Sequence, residues 1–414
     1  MANPRMFSSA ERWLLNKLHD ATGNPPVRMA LADGPAVGPA EHEAVASLTI
    51  RDRRTLARIV LNPEVEFGDC YADGSVKIEG GLAALLDAVY ASMSARRRRG
   101  WYQRLSSLRL RLAQRNSRNG SRHNIHHHYD LGNEFYQLWL DQNLVYTCAY
   151  FPHPGATLEE AQTAKMDHVC RKVRLQAGER VVEAGCGWGS LALHMARQYG
   201  VKVKAFNISH EQIVYARWRA QREGLESRVE FIEDDYRNIH GRFDAFVSVG
   251  MLEHVGKENY REMGRVIHRS TGDEGRGLLH FIGRNRRLPL NAWTRKRIFP
   301  GAYPPTLREV ADIFEPWDFS VMDVENLRLH YARTLEHWLE RFEGSGQQVA
   351  AMFDERFVRM WRLYLAGSAA AFRTGTMQLF QVVFAGAKCQ TLAGTRAHLY
   401  EPQSDRVTGL QAAD

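Results

Sequence analysis

The stretch that most constrains this chain is Val181-Val182-Glu183-Ala184-Gly185-Cys186-Gly187-Trp188-Gly189-Ser190, an apolar run that ends in an acid and passes into three alternating glycines. A buried strand followed at once by residues without Cβ lets the main chain turn sharply and lets a ligand lie against it. Glu183 puts a carboxylate at the strand tip. A pyrophosphate-binding turn spaces its glycines G-x-G-x-x-G, whereas here the third glycine comes one residue early. A glycine-rich turn of purely structural use is the reading that this spacing alone leaves open.

Around the turn the sequence alternates strand and helix patterns. Arg180 to Ala184 reads as a strand, Leu191 to Tyr199 as a helix, Val201 to Phe206 as a strand, and Glu211 to Glu223 as a helix closed by Gly224. Further strands are predicted at Val229 to Ile232, Phe243 to Val249, Gly277 to Ile282 and Leu379 to Phe384. Such alternation predicts an α/β doubly wound, mostly parallel sheet that binds its ligand at the carboxyl ends of the strands. In that setting the turn best fits a nucleoside joined to an amino acid, as in S-adenosylmethionine. The class I S-adenosylmethionine-dependent methyltransferase fold is therefore expected, with a smaller N-terminal domain.

The domains are placed at 1–95, a basic linker at 96–122, a catalytic domain at 123–390 and a C-terminal tail at 391–414. The first unit holds alternating stretches at Ala46 to Ile50 and Ala57 to Leu61 and a helical Leu82 to Tyr90. A cap of inserted helices, at about 284–370, is expected over the strand ends, where it could cover a greasy substrate. Helical patterns lie at Tyr331 to Phe342 and Gln347 to Tyr364.

The chain of 414 residues carries a net charge of +8, which points to an anionic partner. Ten arginines and no acid lie between Arg96 and Arg122, interleaved with Trp101, Tyr102 and leucines. That pattern suits a segment on anionic lipid headgroups and suits equally a solvated linker. No stretch is apolar enough to span a membrane, and Met1 to Asp20 lacks a signal-peptide core, so a cytoplasmic protein, peripherally associated with the membrane, is expected. Five scattered cysteines with no C-x-x-C pair suggest reduced thiols. His126-His127-His128 lacks companion ligands, and no metal is expected.

From about His123 to Phe384 the chain resembles the cyclopropane-fatty-acyl-phospholipid synthases and the related mycolic acid cyclopropane synthases. The resemblance rests on His128-Tyr129-Asp130-Leu131-Gly132-Asn133, Tyr146-Thr147-Cys148-Ala149-Tyr150-Phe151, the glycine turn, Asn207-Ile208-Ser209-His210-Glu211-Gln212 and Asp235-Tyr236-Arg237. It continues in Ser248 to Gly256, Leu279-His280-Phe281-Ile282-Gly283 and Tyr331, and more loosely in Phe67 to Gly74, which resembles the N-terminal domain of the bacterial enzymes, so that 1–95 is expected to be a lipid-binding-like domain.

The resemblance implies methyl transfer from S-adenosylmethionine to a cis double bond of a phospholipid acyl chain, then loss of a proton to close a cyclopropane ring. It implies a bound bicarbonate as the base, held by Cys148, Glu253, His280, Ile282 through its amide, and Tyr331. For the cofactor it implies Tyr146 and Thr147 at the methionine end and Glu183, Gly185, Cys186, Gly187 and Gly189 along the turn. Asn207, Ser209 and Gln212 would lie near the ribose, and Asp235, Tyr236 and Arg237 would flank the adenine. Glu183 stands where relatives usually have Asp, and Asn207 where many methyltransferases have an acid. The implied partner is an unsaturated phospholipid at a membrane surface, with a homodimer possible.

A related methyltransferase that makes a methyl-branched lipid or methylates an amine is the alternative. Nucleic acid is not expected, because Gly250-Met251-Leu252-Glu253 stands where base-flipping methyltransferases usually carry Asn-Pro-Pro-Tyr. A lipid-binding protein without catalysis would have a broken cofactor turn.

Overall fold

The computed structural model describes residues 4–97 and 131–400. The basic segment beyond Arg97 and His126–His128 lie outside the described residues.

Strands β1 (Val27–Leu31), β2 (Ala36–Val37), β3 (Ala46–Ile50) and β4 (Val76–Glu79) form a sheet in the order β2-β1-β3-β4. Buried and half-exposed residues alternate along β1 and β3, and the sheet packs against helices Pro4–Ala21 and Leu82–Arg97. Ala57 to Leu61 is not the strand that its alternation suggested. It completes helix Arg53–Leu61, where Asp52 Oδ1 accepts the Thr55 N–H at 2.8 Å. Leu56 and Ile59, three residues apart, bury one face of that helix. A five-residue alternation is too short to separate the two periods, and the cap decides.

The larger sheet contains β5 (Arg180–Ala184), β6 (Lys202–Asn207), β7 (Val229–Glu233), β8 (Ala245–Val249), β9 (Arg276–Gly283), β10 (Ser320–Asn326) and β11 (Gln378–Ala385), in the order β10-β11-β9-β8-β5-β6-β7. Pairing is parallel from β9 to β7, and β11 and β10 add antiparallel neighbours. Every residue of β8 and β11 is buried, as a sheet covered on both faces requires. The chain winds outward from β5 through β6 to β7 and then returns to β8 on the other side of β5. That reversal opens a crevice at the carboxyl ends of β5 and β8.

Helices Ala292–Arg297, Leu307–Phe314, Arg328–Gly344, Gly346–Met352 and Glu355–Arg373 fill the stretch between β9 and β11. Strand β10 interrupts them, which the sequence did not signal: Val321, Met322 and Val324 are exposed on this sheet edge. An edge strand paired on one side need not show the period-two burial that marks a strand.

The two units are locked together. Asp69 accepts hydrogen bonds from Trp293 Nε1 at 3.1 Å and from Arg297 Nε at 3.0 Å and Nη2 at 2.6 Å. Arg359 reaches from helix Glu355–Arg373 to the carbonyls of Tyr71 at 2.6 Å and Val76 at 3.1 Å. A Cβ on Gly68 would lie 2.4 Å from Trp293 Nε1, so that helix face must be bare. Asp69→Ala strands an indole N–H and a guanidinium at once and is expected to cost about 2–3 kcal/mol. Chemical denaturation checks this, and a loss well below about 1 kcal/mol would mean that the junction is not held by this carboxylate.

Candidate active site

The glycine turn sits in the crevice between β5 and β8. Gly185, Gly187 and Gly189 have φ of 83°, 53° and 84°, and the Gly185 and Cys186 N–H groups donate to Phe206 O at 2.8 and 3.1 Å. A Cβ on Gly185 would lie 2.9 Å from Met251 Cβ, so the segment after β8 closes directly on the turn. A Cβ on Gly187 would meet nothing within 4 Å, which identifies the open side of the turn. The Ser248 hydroxyl donates to Ala184 O at 2.9 Å, fixing the two strand ends to each other.

Glu183 is 2 % exposed, its Oε2 is buried without a hydrogen-bond partner, and burial pushes its carboxyl up to about 8. A buried acid with one oxygen left unpartnered beside an open, Cβ-free turn fits a cationic, amino-acid-bearing nucleoside. Glu183 holds its proton in the fold over a window, from about 4.5 to about 8, in which the unfolded chain releases it. The unliganded protein therefore loses stability as pH rises through that window. Glu183→Gln is expected to remove this contribution and to stabilise the unliganded protein at pH 8 relative to pH 5 by on the order of 2 kcal/mol. A difference from wild type that stays constant across thermal melts at the two pH values would contradict the assignment.

Asn207, Ser209, Gln212, Asp235, Tyr236 and Arg237 lie at or just past the carboxyl ends of β6 and β7, and Tyr146 and Thr147 lie in the segment before β5. Asn207 Nδ2 donates to Gln212 Oε1 at 2.7 Å, and Ser209 begins helix His210–Arg222 by accepting the Gln212 N–H. Asp235 pairs with Arg237 Nε at 2.9 Å, and the guanidinium lies 5.3 Å from the Tyr236 ring centroid. Tyr146 and Tyr364 share a hydroxyl hydrogen bond of 2.8 Å.

The expected proton-handling residues are linked step by step through hydrogen bonds, main-chain contacts and strand register. Gly250 N–H, just before helix Leu252–Val255, donates to His280 O at 2.8 Å. Glu253 Oε1 accepts the Ile282 N–H at 2.5 Å. His280 and Ile282, two apart on β9, share a face. Leu379 is the register partner of Ile282; its carbonyl accepts the Leu327 N–H at 2.8 Å, and Tyr331 lies one turn further on. The Cys148 thiol, its pKa raised by burial, lies 3.9 Å from Leu327 O. Rings complete the circuit from the glycine turn to Tyr331: Trp188 to Tyr136 at 5.0 Å, Tyr136 to Tyr146 at 5.6 Å, Tyr146 to Trp338 at 5.3 Å and Trp338 to Tyr331 at 5.9 Å.

Two details differ from expectation. The Ile282 amide is engaged by Glu253 itself, so it orients that carboxylate. The Cys148 thiol donates to the Ala149 carbonyl at 3.1 Å. Burial raises the Glu253 carboxyl to about 7, against the opposing Ile282 hydrogen bond, and depresses the His280 imidazole, which is neutral near pH 7. Gln381 Nε2 lies 3.1 Å from His280 Nδ1. With Nδ1 accepting there, the proton sits on Nε2, which is buried without a partner, as is Glu253 Oε2. Sequence reasoning missed Gln381 and the buried Lys165, whose Nζ donates to Thr147 Oγ1 at 2.8 Å. A lysine on a charged helix and a glutamine within a strand carry no signal until burial is known.

This sheet order with a glycine turn at its switch point is the fold of the S-adenosylmethionine-dependent methyltransferases. At the level of fold alone the chain is similar to coclaurine N-methyltransferase, at 22% identity and a TM-score of 0.60 over 78% of this chain and 98% of that one. Residues 116–382 match the family model described as mycolic acid cyclopropane synthetase, and the chain belongs to that family. It is 43% identical over 258 residues to the cyclopropane-fatty-acyl-phospholipid synthase of Escherichia coli K12, covering 62% of this chain and 66% of that protein. It is 32% identical over 393 residues to a tuberculostearic acid methyltransferase of Mycobacterium tuberculosis, covering 91% of each. Among solved structures, a mycolic acid cyclopropane synthase complexed with SAH and CTAB matches with a TM-score of 0.61 at 30% identity, over 64% of this chain and 97% of that one. The matched stretch thus spans just under two thirds of the Escherichia coli protein.

Proposed function

We propose that this enzyme converts a cis double bond of an unsaturated phospholipid acyl chain into a cyclopropane ring, with bicarbonate as the base. The observation that carries this reading is the pair of buried, unpartnered polar atoms Glu253 Oε2 and His280 Nε2, on residues joined through β9: Ile282 N–H holds Glu253, and His280 stands two residues before Ile282. An acceptor and a donor left over in a dry site match a small anion that has both a hydroxyl and free oxygens. S-adenosylmethionine supplies an electrophilic methyl group when bound.

The chain's own residues meet the remaining demands. An alkene is a weak nucleophile and must be held in line with water excluded. The mutually packed rings of Tyr136, Tyr146, Trp188, Trp338 and Tyr331 would exclude water and offer aromatic surface to positive charge developing on the lipid. Glu253, ionised above about pH 7 and fixed by Ile282 N–H, accepts the hydroxyl proton of the anion. His280, fixed by Gln381, presents Nε2–H to an anion oxygen. The basic segment at 96–122 would bring the enzyme to an anionic membrane surface. Among the described residues no helix is long and apolar enough to cross one.

Vesicles of cis-unsaturated phospholipid incubated with enzyme and S-adenosylmethionine should gain one methylene per acyl chain by mass spectrometry, and turnover should fall when bicarbonate is stripped and return when it is restored. Turnover indifferent to bicarbonate would remove the base from this scheme. Methylation of an amine alone would overturn the substrate. The likeness to a tuberculostearic acid methyltransferase favours one second reading, a methyl-branched product of the same mass. It would show olefinic rather than ring protons by NMR.

A further inference from the structure

Helix Leu158–Lys172 brings two long polar side chains, one turn apart, onto the irregular segment that carries Thr147. Gln162 Nε2 donates to Thr147 O at 2.9 Å and to Val145 O at 3.2 Å, and Lys165 Nζ donates to Thr147 Oγ1 at 2.8 Å. Lys165 is 2 % exposed. Its hydrogen bond goes to a neutral hydroxyl, Asp141 acts on it only through space, and Glu183, which keeps its proton up to about 8, offers it no charge below that. Asp141 is engaged elsewhere, accepting the Val145 N–H at 2.8 Å and the Asn143 N–H at 3.1 Å. A buried ammonium without a bonded counter-charge is costly unless something else supplies the charge.

The geometry at Thr147 indicates what supplies it. An ammonium has donors and no acceptor, so Thr147 Oγ1 spends a lone pair on Lys165 and its own O–H must point elsewhere. Thr147 is half-buried and faces the crevice: a Cβ on Gly250, at the end of β8, would lie 2.8 Å from Thr147 Cγ2. We infer that Lys165 is a positioning residue for the methionine end of S-adenosylmethionine, turning the Thr147 hydroxyl proton toward the cofactor's carboxylate and supplying the positive charge that this carboxylate meets. The inference rests on the reading of the glycine turn as the S-adenosylmethionine site. Burial pulls the Lys165 ammonium down to about 8, as expected of a cation whose partner arrives with the ligand.

The test is calorimetric binding of S-adenosylhomocysteine and of 5′-methylthioadenosine, which keeps the nucleoside thioether and lacks the amino acid. Lys165→Met, similar in length and neutral, should weaken S-adenosylhomocysteine about tenfold or more and leave methylthioadenosine unchanged. Its unliganded form should melt at a higher temperature than wild type. Thr147→Val should show the same selective loss, and Thr147→Ser should restore binding, so the inference remains testable if the lysine variant does not fold. Equal weakening of both ligands, or of neither, overturns it. Wild-type protein that binds neither ligand would overturn the cofactor reading as well, which separates the two failures.

Discussion

Glu253→Gln is expected to lower turnover by about 10²- to 10⁴-fold while S-adenosylhomocysteine affinity stays nearly unchanged. Glutamine keeps the shape and keeps an oxygen for the Ile282 N–H, which Glu253 Oε1 accepts at 2.5 Å. It cannot take a proton from an anion on the other side. The pH dependence gives a second readout. Because burial raises the Glu253 carboxyl to about 7, the group is a proton acceptor above that value and is spent below it. Wild-type turnover should therefore fall as pH drops through about 7, and this limb should vanish in the variant. Equal loss of turnover and cofactor affinity would mean that Glu253 serves binding or folding.

Gly189→Ala should be the most damaging small substitution, costing about 2–5 kcal/mol and abolishing cofactor binding. Two independent penalties add at one atom. The residue has a φ of 84°, which an L side chain rarely adopts, and its new Cβ would lie 2.6 Å from Phe231 Cζ and 2.9 Å from Ala216 Cβ. Relief would require the helix that begins at Ser190 to lift away from β7 and helix His210–Arg222, which opens the turn itself. Gly187→Ala is the control: its Cβ would meet nothing within 4 Å, so it pays for backbone strain without the clash. Its stability loss should be clearly smaller, measured by denaturation of both variants. Equal losses would show that the close contact at Gly189 is not what the glycine is for.

The parallel core was legible because β5 to β9 obey local rules. The central β5 and β8 are buried on both faces, so Val181 to Ala184 and Ala245 to Val249 read as mostly apolar runs broken only by Glu183 and Ser248, and the helices between the strands carry caps such as Ser209 and closures such as Gly200 and Gly224. Strand β10 was not legible because its exposed Val321, Met322 and Val324 owe their conformation to β11, a strand about fifty residues later. The helix at Arg53–Leu61 was misread because Asp52 as a cap outweighed a short alternation. Within the site, Glu253, His280 and the glycines were visible as motif residues. Lys165 and Gln381 became visible only through burial and geometry, since each acts on a neighbour, Thr147 or His280, and neither stands in a motif of its own.

Removal of a proton from the transferred methyl group distinguishes ring closure from simple methylation, and a deuterium count reads it directly. With S-adenosylmethionine carrying a fully deuterated methyl group and a cis-unsaturated phospholipid, the product should retain two of the three deuterium atoms, with the label at the high-field ring position in the ²H NMR spectrum. A product that keeps all three would contradict the account, because no base would then have acted on the transferred carbon.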